Sequence, residues 1–421
     1  MTQIRTAAGP QITFHDRNEK VILRNIVALI EQVRAGDFIM GFQISPAMHV
    51  LGSLLNIEKI DEEDITRHLI LSAGINVQGV ENLDIGTFIE ALGSTAGNYL
   101  QREIKEFHIV FPLNIDPGLL PKVLQLQVGG IKFELATWKV INEQYDIDDL
   151  INKIGSDLNS KFLDPWNRRG IPLLVKLQGR NETDVFQRTE RTYDLLVSTI
   201  NYLLDKGITI LLQNPEPIGL LRPAVGYGVF SPEGKLMTSF VDLEQLNFQT
   251  LCKEKYELDE LLRILGLTNG DTKPNSTIEI YFSALLTYNS ALLTNKWTNA
   301  YLALWQALEW LTFDQSANYD MKSVVERVCI LINCGDSIKD FLHLCSKRRN
   351  DLVHRGQFST DGQSEVLILK TIVRESLKQF LRLADSYPNR NYLNEYFIHS
   401  KFSREALKEK NEVINKILAV E

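Results

Sequence analysis

The sequence predicts a multidomain protein in which an α+β N-terminal region is followed by an all-α C-terminal helical bundle. Its 421 residues exceed what one hydrophobic core usually supports, so two or three domains are expected. Between residues 105 and 245, short apolar runs bounded by turn residues indicate strands with covering helices. From about residue 275 the apolar residues recur at helical spacing, which favours a bundle.

The same patterns divide the chain into four segments. A turn-rich run between Gly266 and Ser276 is typical of a linker into the bundle. The α+β segment has no P-loop, no dinucleotide-binding glycine motif and no zinc-protease or nucleophile-elbow motif, so we expect no cofactor and no metal. The predicted segments are a mainly helical N-terminal region (1–104), an α+β domain for sensing or binding (105–266), a helical bundle (275–388) and a C-terminal helical tail (389–421).

Several elements before the bundle have clear local signals. Residues 18–34 repeat apolar side chains at helical spacing. A strand over 107–111 should end there, because Pro112 lacks the N–H that a central strand needs. Alternating runs on both sides of Gly129-Gly130 predict a hairpin. The other predicted elements are helices over 61–71, 145–163 and 184–206, strands over 171–177 and 208–212, and a hairpin over 227–236.

The bundle is predicted to contain five helices. Ser276 or Thr277 could cap the first of them. The fourth should end before Gly356, the residue type that most often terminates helices. The predicted bundle helices cover 276–295, 298–313, 321–333, 336–355 and 363–387, and a further amphipathic helix covers 403–420 in the tail.

Composition and cysteine usage favour a cytoplasmic protein. No apolar run approaches the roughly 20 residues needed to cross a bilayer, and the N-terminus lacks the apolar core of a secretory signal. The four cysteines show neither a Cys-x-x-Cys pair nor zinc spacing. We therefore expect Cys252, Cys329, Cys334 and Cys345 to be buried thiols.

The charge distribution points to the bundle. A net charge of −8 argues against a general nucleic-acid coat. Residues 275–388 nevertheless balance 12 basic with 12 acidic residues, so most of the excess acid precedes them. A local positive patch on the fourth bundle helix suits recognition of a few phosphates. It consists of Lys347, Arg348, Arg349 and Arg355.

That fourth helix also carries charged and polar residues at positions that core packing does not explain. Its apolar stripe includes Arg349, and an arginine on a buried face needs a carboxylate or phosphate partner. Asn350 and His354 lie on a polar stripe beside it, and the helix dipole favours a protonated His354 in the last turn. On the second bundle helix Glu309 lies in an apolar seam. We therefore expect Glu309 and Arg349 to meet inside the bundle.

These residues resemble a known family. Arg349-Asn350-x-x-x-His354 resembles the Arg-Asn-x-x-x-His motif of HEPN domains, the helical modules of many prokaryotic RNases, toxins and defence proteins. Upstream, the run Leu304-Trp-Gln-Ala-Leu-Glu-Trp-Leu311 resembles the corresponding helix of the Apea-like HEPN group. The two matches occur in the expected order and together cover about residues 275–388.

The resemblance implies a metal-independent endoribonuclease, a toxin or anti-phage defence effector that cleaves RNA by attack of the 2′-OH. His354 would act as acid or base, and Arg349 would hold the scissile phosphate. Asn350 would orient the backbone or His354. Glu309 would fix Arg349. These four residues would form the catalytic site without a metal.

The resemblance also implies partners. Lys347, Arg348 and Arg355 would bind RNA phosphates near the catalytic residues. Two copies of the motif would face each other in a homodimer formed through the HEPN domain. The N-terminal region would receive a protein or phage-derived trigger, and no membrane is expected to take part.

Plainer interpretations of the same residues stay open. Glu309 and Arg349 could be only a buried structural ion pair. Asn350 could cap or bridge backbone, and His354 could be a surface residue that the helix dipole stabilises. His343 is expected to be an exposed polar residue rather than a second acid. The alternative function is a non-catalytic HEPN module that binds nucleic acid or a protein partner.

Overall fold

The computed structural model describes residues 2–5, 10–14, 18–35, 50–51, 54–60, 63–77, 84–115, 125–157, 170–205, 221, 226–241, 258–269, 276–294, 296–312, 321–355, 362–384, 386–387, 389–400, 405–408 and 410. Some predictions fall outside these residues: the end of the helix over 145–163, the strand over 208–212, most of the tail helix over 403–420, and Cys252.

The chain divides into two compact units, each with its own helices and strands. One consists of Met1–Phe107 and Leu177–Arg188, and the other of His108–Lys176 and Thr189–Glu421. The protein is rich in helix and contains antiparallel strand pairs, so the predicted mixed α+β class is confirmed at this level. Within the described ranges, no helix is long and apolar enough to cross a membrane.

The first unit joins three helices to a small sheet. The predicted helix over 18–34 is confirmed and begins at Glu19, where an acidic side chain suits the first turn. Three short antiparallel strands were not predicted, because two to four residues are too few to show an alternating pattern. The elements are α1 (Glu19–Ala35), α2 (Glu63–Val77), α3 (Ile85–Gln101), β1 (Thr2–Arg5), β2 (Gln11–Phe14) and β3 (Asn56–Ile57).

Among the described residues, a larger sheet has six strands: β4 (Lys105–Leu113), β5 (Gln125–Val128), β6 (Ile131–Leu135), β7 (Ile171–Gly179), β8 (Gly226–Phe230) and β9 (Leu236–Val241). Their order in the sheet is β5-β6-β7-β4-β8-β9. Both predicted hairpins are confirmed, and Gly129 and Gly130 have the positive φ values of 55° and 78° that their two-residue turn requires.

The predicted end of β4 at Phe111 is wrong, since the strand continues through Pro112. The described pairs between β4 and β8 run from His108 to Val110, so Pro112 lies beyond them and its missing N–H interrupts none of them. The Pro112 carbonyl accepts a hydrogen bond of 3.2 Å from the hydroxyl of Tyr193.

Helices cover the larger sheet. Two short helices share a core with β4, β7 and the β8–β9 hairpin. The predicted helix over 145–163 corresponds to the second of them, which begins at Ile147. The first helix was not predicted, and Tyr145 forms its C-terminal cap. The covering helices are α4 (Trp138–Gln144), α5 (Ile147–Asp157) and the longer α6 (Glu182–Leu204).

The C-terminal bundle follows the prediction closely. Ser276 caps its first helix by accepting a hydrogen bond of 3.2 Å from the Glu279 N–H. All five predicted helices are present, with ends that differ by a few residues. They are α8 (Thr277–Leu293), α9 (Trp297–Thr312), α10 (Met321–Ile332), α11 (Asp336–Arg355) and α12 (Gly362–Ala384), preceded by α7 (Leu258–Gly266) and followed by α13 (Arg390–His399).

Two features of this region were not predicted. The proposed linker begins as a 3-10 turn (Leu267–Asn269), in which the buried Thr268 hydroxyl accepts a 2.7 Å hydrogen bond from the Gly129 N–H. The helix α13 begins after Asn389, whose side chain caps it through the N–H groups of Asn391 and Tyr392. An asparagine after Pro388 was the signal that could have located this helix.

The prediction of four buried thiols is wrong for two of them. Cys329 and Cys334 form a disulfide, with their Cα atoms 4.9 Å apart. The C-terminal turn of α10 brings them together, although their spacing matches none of the usual cysteine motifs. Cys345 is a buried free thiol, as predicted.

Candidate functional site

The helix α11 carries the proposed motif and packs against α9 and α10. Its bounds agree with the predicted helix over 336–355. The predicted apolar stripe is buried in its middle, at Leu342 and Cys345, whereas Val353 near its end is 51% exposed. The motif therefore lies where α11 emerges from the core.

Glu309 of α9 and Arg349 of α11 meet, as predicted. The Oε1 atom of Glu309 lies 3.6 Å from Nη2 of Arg349. The pair is only partly buried, because 26% of the Arg349 side chain and 18% of the Glu309 side chain are exposed. This contact is an ion pair at the rim of the bundle, and the expected deep burial is not observed.

A buried hydrogen bond fixes α9 against α11 near this ion pair. The Tyr301 hydroxyl on α9 donates to the Cys345 carbonyl on α11 over 2.8 Å. Burial raises the pKa of Tyr301 well above its usual value of 10. Burial also raises the pKa of the Cys345 thiol to about 11. Both groups are therefore neutral near pH 7 and act as buried packing contacts between α9 and α11.

Arg348 points to a different neighbour. It forms an ion pair with Glu365 of α12, and the side chains are 31% and 13% exposed. Nothing in the local sequence around Glu365 distinguishes it from the other bundle acids, so this contact was not predicted. Of the proposed phosphate-binding residues, Lys347 is the exposed one among those whose side chains the structure describes.

The rest of the motif follows α11 to its end. Asn350 is exposed, and His343, expected to be exposed, is half-buried. His354 and Arg355 form the last helical residues of α11, and their side chains lie outside the described part of the chain. The described part of the site thus consists of one partly buried arginine with its carboxylate, an exposed amide and an exposed lysine.

A second cluster of charges lies inside the same unit. Asp205, which follows α6, forms a buried ion pair with Lys370 of α12 and accepts a hydrogen bond from the Tyr288 hydroxyl on α8. Arg374 approaches Asp205 to 4.0 Å from a more exposed position. Burial lowers the pKa of Lys370, and the nearby Asp205 carboxylate partly offsets this effect.

This second cluster holds the end of α6 against the bundle. Lys370 is 1% exposed, so the cluster is closed to solvent on that side. A signal for it was present, because Lys370 follows Val366 by four residues and precedes Val373 by three, within the apolar stripe of α12. The same reasoning that singled out Arg349 therefore applies to Lys370.

Arg349, Asn350 and Lys347 offer a cation, an amide and a second cation on one helix. Such groups can bind a phosphate or a carboxylate through charge-assisted hydrogen bonds. Comparison of the chain with family models, with curated proteins and with solved structures finds no match.

Proposed function

We propose that the chain is a HEPN-type, metal-independent endoribonuclease of the Apea-like group, acting as a toxin or anti-phage defence effector. The observation that supports it best is the 3.6 Å contact between Glu309 and Arg349. It joins the two stretches that resemble the family, the upstream helix and the Arg-Asn-x-x-x-His motif.

The proposed chemistry needs only groups that this motif supplies. The 2′-OH of one nucleotide loses its proton to a base, and its oxygen attacks the adjacent phosphorus. The bond from phosphorus to the 5′-oxygen of the next nucleotide breaks, and that oxygen takes a proton. The products are a 2′,3′-cyclic phosphate and a 5′-hydroxyl. His354 would transfer one of these protons, and Arg349 would neutralise charge on the phosphate.

The contact with Glu309 would serve to orient Arg349. A guanidinium has five N–H donors in one plane. When a carboxylate binds one side of it, N–H groups on another side can still donate to a phosphate. Because about a quarter of the Arg349 side chain is exposed, a phosphate could approach it without displacing Glu309. Lys347 and Asn350 are exposed on the same helix and would contact neighbouring backbone phosphates.

A second copy of the chain is the proposed partner at the site. One chain supplies one His354 and one Arg349, so a dimer through the HEPN domains would bring two of each to a common RNA strand. RNA as substrate agrees with a cytoplasmic location, and the N-terminal region would receive the trigger. Static light scattering at micromolar concentration should therefore report a dimer, and a monomer with concentration-independent activity would argue against this arrangement.

The test is cleavage of purified total RNA in excess EDTA by the wild type and by His354→Ala. We expect the wild type to cleave and the variant to be inactive with nearly unchanged RNA binding and melting temperature. Loss of folding in His354→Ala would indicate a structural histidine. A requirement for Mg²⁺ would contradict the proposed chemistry.

One observation favours the alternative, a non-catalytic module that binds nucleic acid or a protein. Arg348 and Arg349 both already pair with carboxylates, which is what a purely structural role requires. RNA binding without cleavage, and with equal affinity in His354→Ala, would support this alternative over the enzyme.

A further inference from the structure

The turn that ends α10 has an unusual cross-link. The Cys334 N–H donates a 3.1 Å hydrogen bond to the Cys329 carbonyl, and Asn333 between them has a positive φ of 49°. In the Schellman motif, a common way to end a helix, a backbone N–H donates to the carbonyl five residues earlier, and the residue just before the donor has a left-handed conformation. In this motif an apolar contact often joins the two terminal positions. Here those positions are Cys329 and Cys334, and a disulfide joins them.

Because the cysteines occupy these positions, the backbone conformation of the turn does not require the disulfide. The backbone hydrogen bond and the conformation of Asn333 are those of a Schellman motif, which forms at helix ends that have no disulfide. Two thiols at the same positions would keep the apolar contact that the motif normally has. The turn is therefore suited to both the oxidised and the reduced state.

The pair is also accessible. Cys329 and Cys334 are half-buried, at the surface end of α10, whereas Cys345 is fully buried. Both residues are therefore more open to a small thiol than Cys345 is, although Cys329 also packs against the core. The following residue, Gly335, uses its carbonyl to accept hydrogen bonds from Ile338 and Lys339 at the start of α11, so the turn leads directly into the motif helix.

We propose that Cys329 and Cys334 form a reversible thiol–disulfide site, which small dithiols open and small disulfides close while the turn keeps its shape. In opening, a thiolate of the reductant attacks one sulfur and releases the other cysteine as a thiolate. The second thiol of the reductant then displaces the first cysteine, leaving two protein thiols and an oxidised, cyclic reductant. In closing, one cysteine thiolate attacks oxidised glutathione, which forms a mixed disulfide and releases one glutathione as a thiolate. The other cysteine then attacks the mixed disulfide, which forms the protein disulfide and releases the second glutathione.

The closing step provides the measurement. A preformed turn holds the second thiol beside the mixed disulfide, so intramolecular closure should be fast and the glutathione adduct should not accumulate. The experiment uses the full chain with Cys252→Ser, reduced with dithiothreitol and then exposed to oxidised glutathione, with quenched samples weighed by mass spectrometry. We expect closure at least about tenfold faster in the folded protein than in concentrated urea.

Variants of Asn333 supply matched controls. Asn333→Gly keeps the left-handed conformation and should close as fast as the parent, whereas Asn333→Val opposes it and should accumulate the glutathione adduct. Cys345 should stay unmodified in all folded samples because it is buried. The readouts need no RNA, so they are independent of the proposed ribonuclease activity.

Three results would overturn the proposal. The first is loss of the cooperative thermal transition on reduction, which would make the bond a required structural cross-link. The second is closure no faster in the folded protein than in urea. The third is failure of oxidised glutathione to form the disulfide at all. Retained melting behaviour with fast closure, sensitive to Asn333→Val and insensitive to Asn333→Gly, supports it.

Discussion

Arg349 of α11 and Glu309 of α9 form an ion pair across the rim of the bundle, with 3.6 Å between Nη2 and Oε1. Both side chains are partly exposed, so water screens the pair more than it would screen a pair in the core. A fully buried pair that loses one partner costs about 3–5 kcal/mol. Because this pair is partly exposed, we expect the loss of one partner to cost less than that.

We therefore expect Glu309→Gln to lower the free energy of unfolding by about 1–2 kcal/mol. The double variant with Arg349→Met should recover part of this loss, because the uncompensated charge is removed as well. Denaturant melts of the two single variants and the double variant measure the coupling. Additive effects would show that the contact carries no energy. Lys378→Gln, in an exposed ion pair of α12, is the control and should change stability by less than about 0.5 kcal/mol.

The buried pair of Asp205 and Lys370 should behave differently. Asp205→Asn leaves the ammonium group of Lys370 without its counter-charge in a position that is 1% exposed, at an expected cost of about 3–5 kcal/mol. Thermal and urea melts provide the measurement. Arg374→Gln is the control, because Arg374 is 41% exposed and 4.0 Å from Asp205, and it should cost no more than about 1 kcal/mol. If Asp205→Asn lowers the free energy of unfolding by no more than Arg374→Gln does, Lys370 has found another partner.

Substitutions of the neighbouring residues Lys347 and Arg348 should have different effects, one on RNA binding and the other on folding stability. Arg348→Gln breaks the pair with Glu365 and should lower the free energy of unfolding by about 1 kcal/mol. Lys347→Gln removes an exposed charge and should leave stability within about 0.5 kcal/mol. If the bundle binds RNA as proposed, Lys347→Gln should instead reduce the salt dependence of binding by about one phosphate contact. RNA titrations at several salt concentrations test this, and an unchanged slope would exclude Lys347 from the interface.

Alkaline titration tests the burial of the Cys345 thiol. Its pKa is about 11 in the folded chain, above the ordinary value of 9.0, so the folded chain holds this proton more tightly than the unfolded chain does. The resulting stability is fully present below about pH 9 and is lost as the pH rises towards 11. Over that interval the wild type should lose about 1.4 kcal/mol per pH unit more than Cys345→Ala does. Equal slopes for the two proteins would show that the thiol is not buried.

Local periodicity predicted most of the bundle and the central contact of the candidate site. Glu309 and Arg349 could be paired from the sequence because each interrupts an apolar stripe on a helix with clear ends. Lys370 carries the same signal, but its partner Asp205 lies 165 residues earlier, and periodicity says nothing about which distant residue meets it. For Glu365 there was no interrupted stripe to notice, since it lies in the first turn of α12, before the apolar repeat of that helix begins at Val366.

The remaining misses have physical causes of a different kind. The disulfide depends on one left-handed residue, Asn333, whose conformation brings two helix-end cysteines together and cannot be inferred from their spacing. The strand through Pro112 depends on where its pairing with β8 ends, which is a property of the assembled sheet. Both are consequences of backbone geometry rather than of apolar pattern.

The most direct test of the proposed ribonuclease is the dependence of cleavage on the 2′-OH. An RNA oligonucleotide that the wild-type chain cleaves in EDTA would be compared with the same oligonucleotide bearing a 2′-O-methyl group at the cleaved position. We expect the first to give a 2′,3′-cyclic phosphate and a 5′-hydroxyl, the second to stay intact, and His354→Ala to cleave neither. Cleavage of the methylated oligonucleotide, or cleavage by His354→Ala at the wild-type rate, would contradict the proposed function.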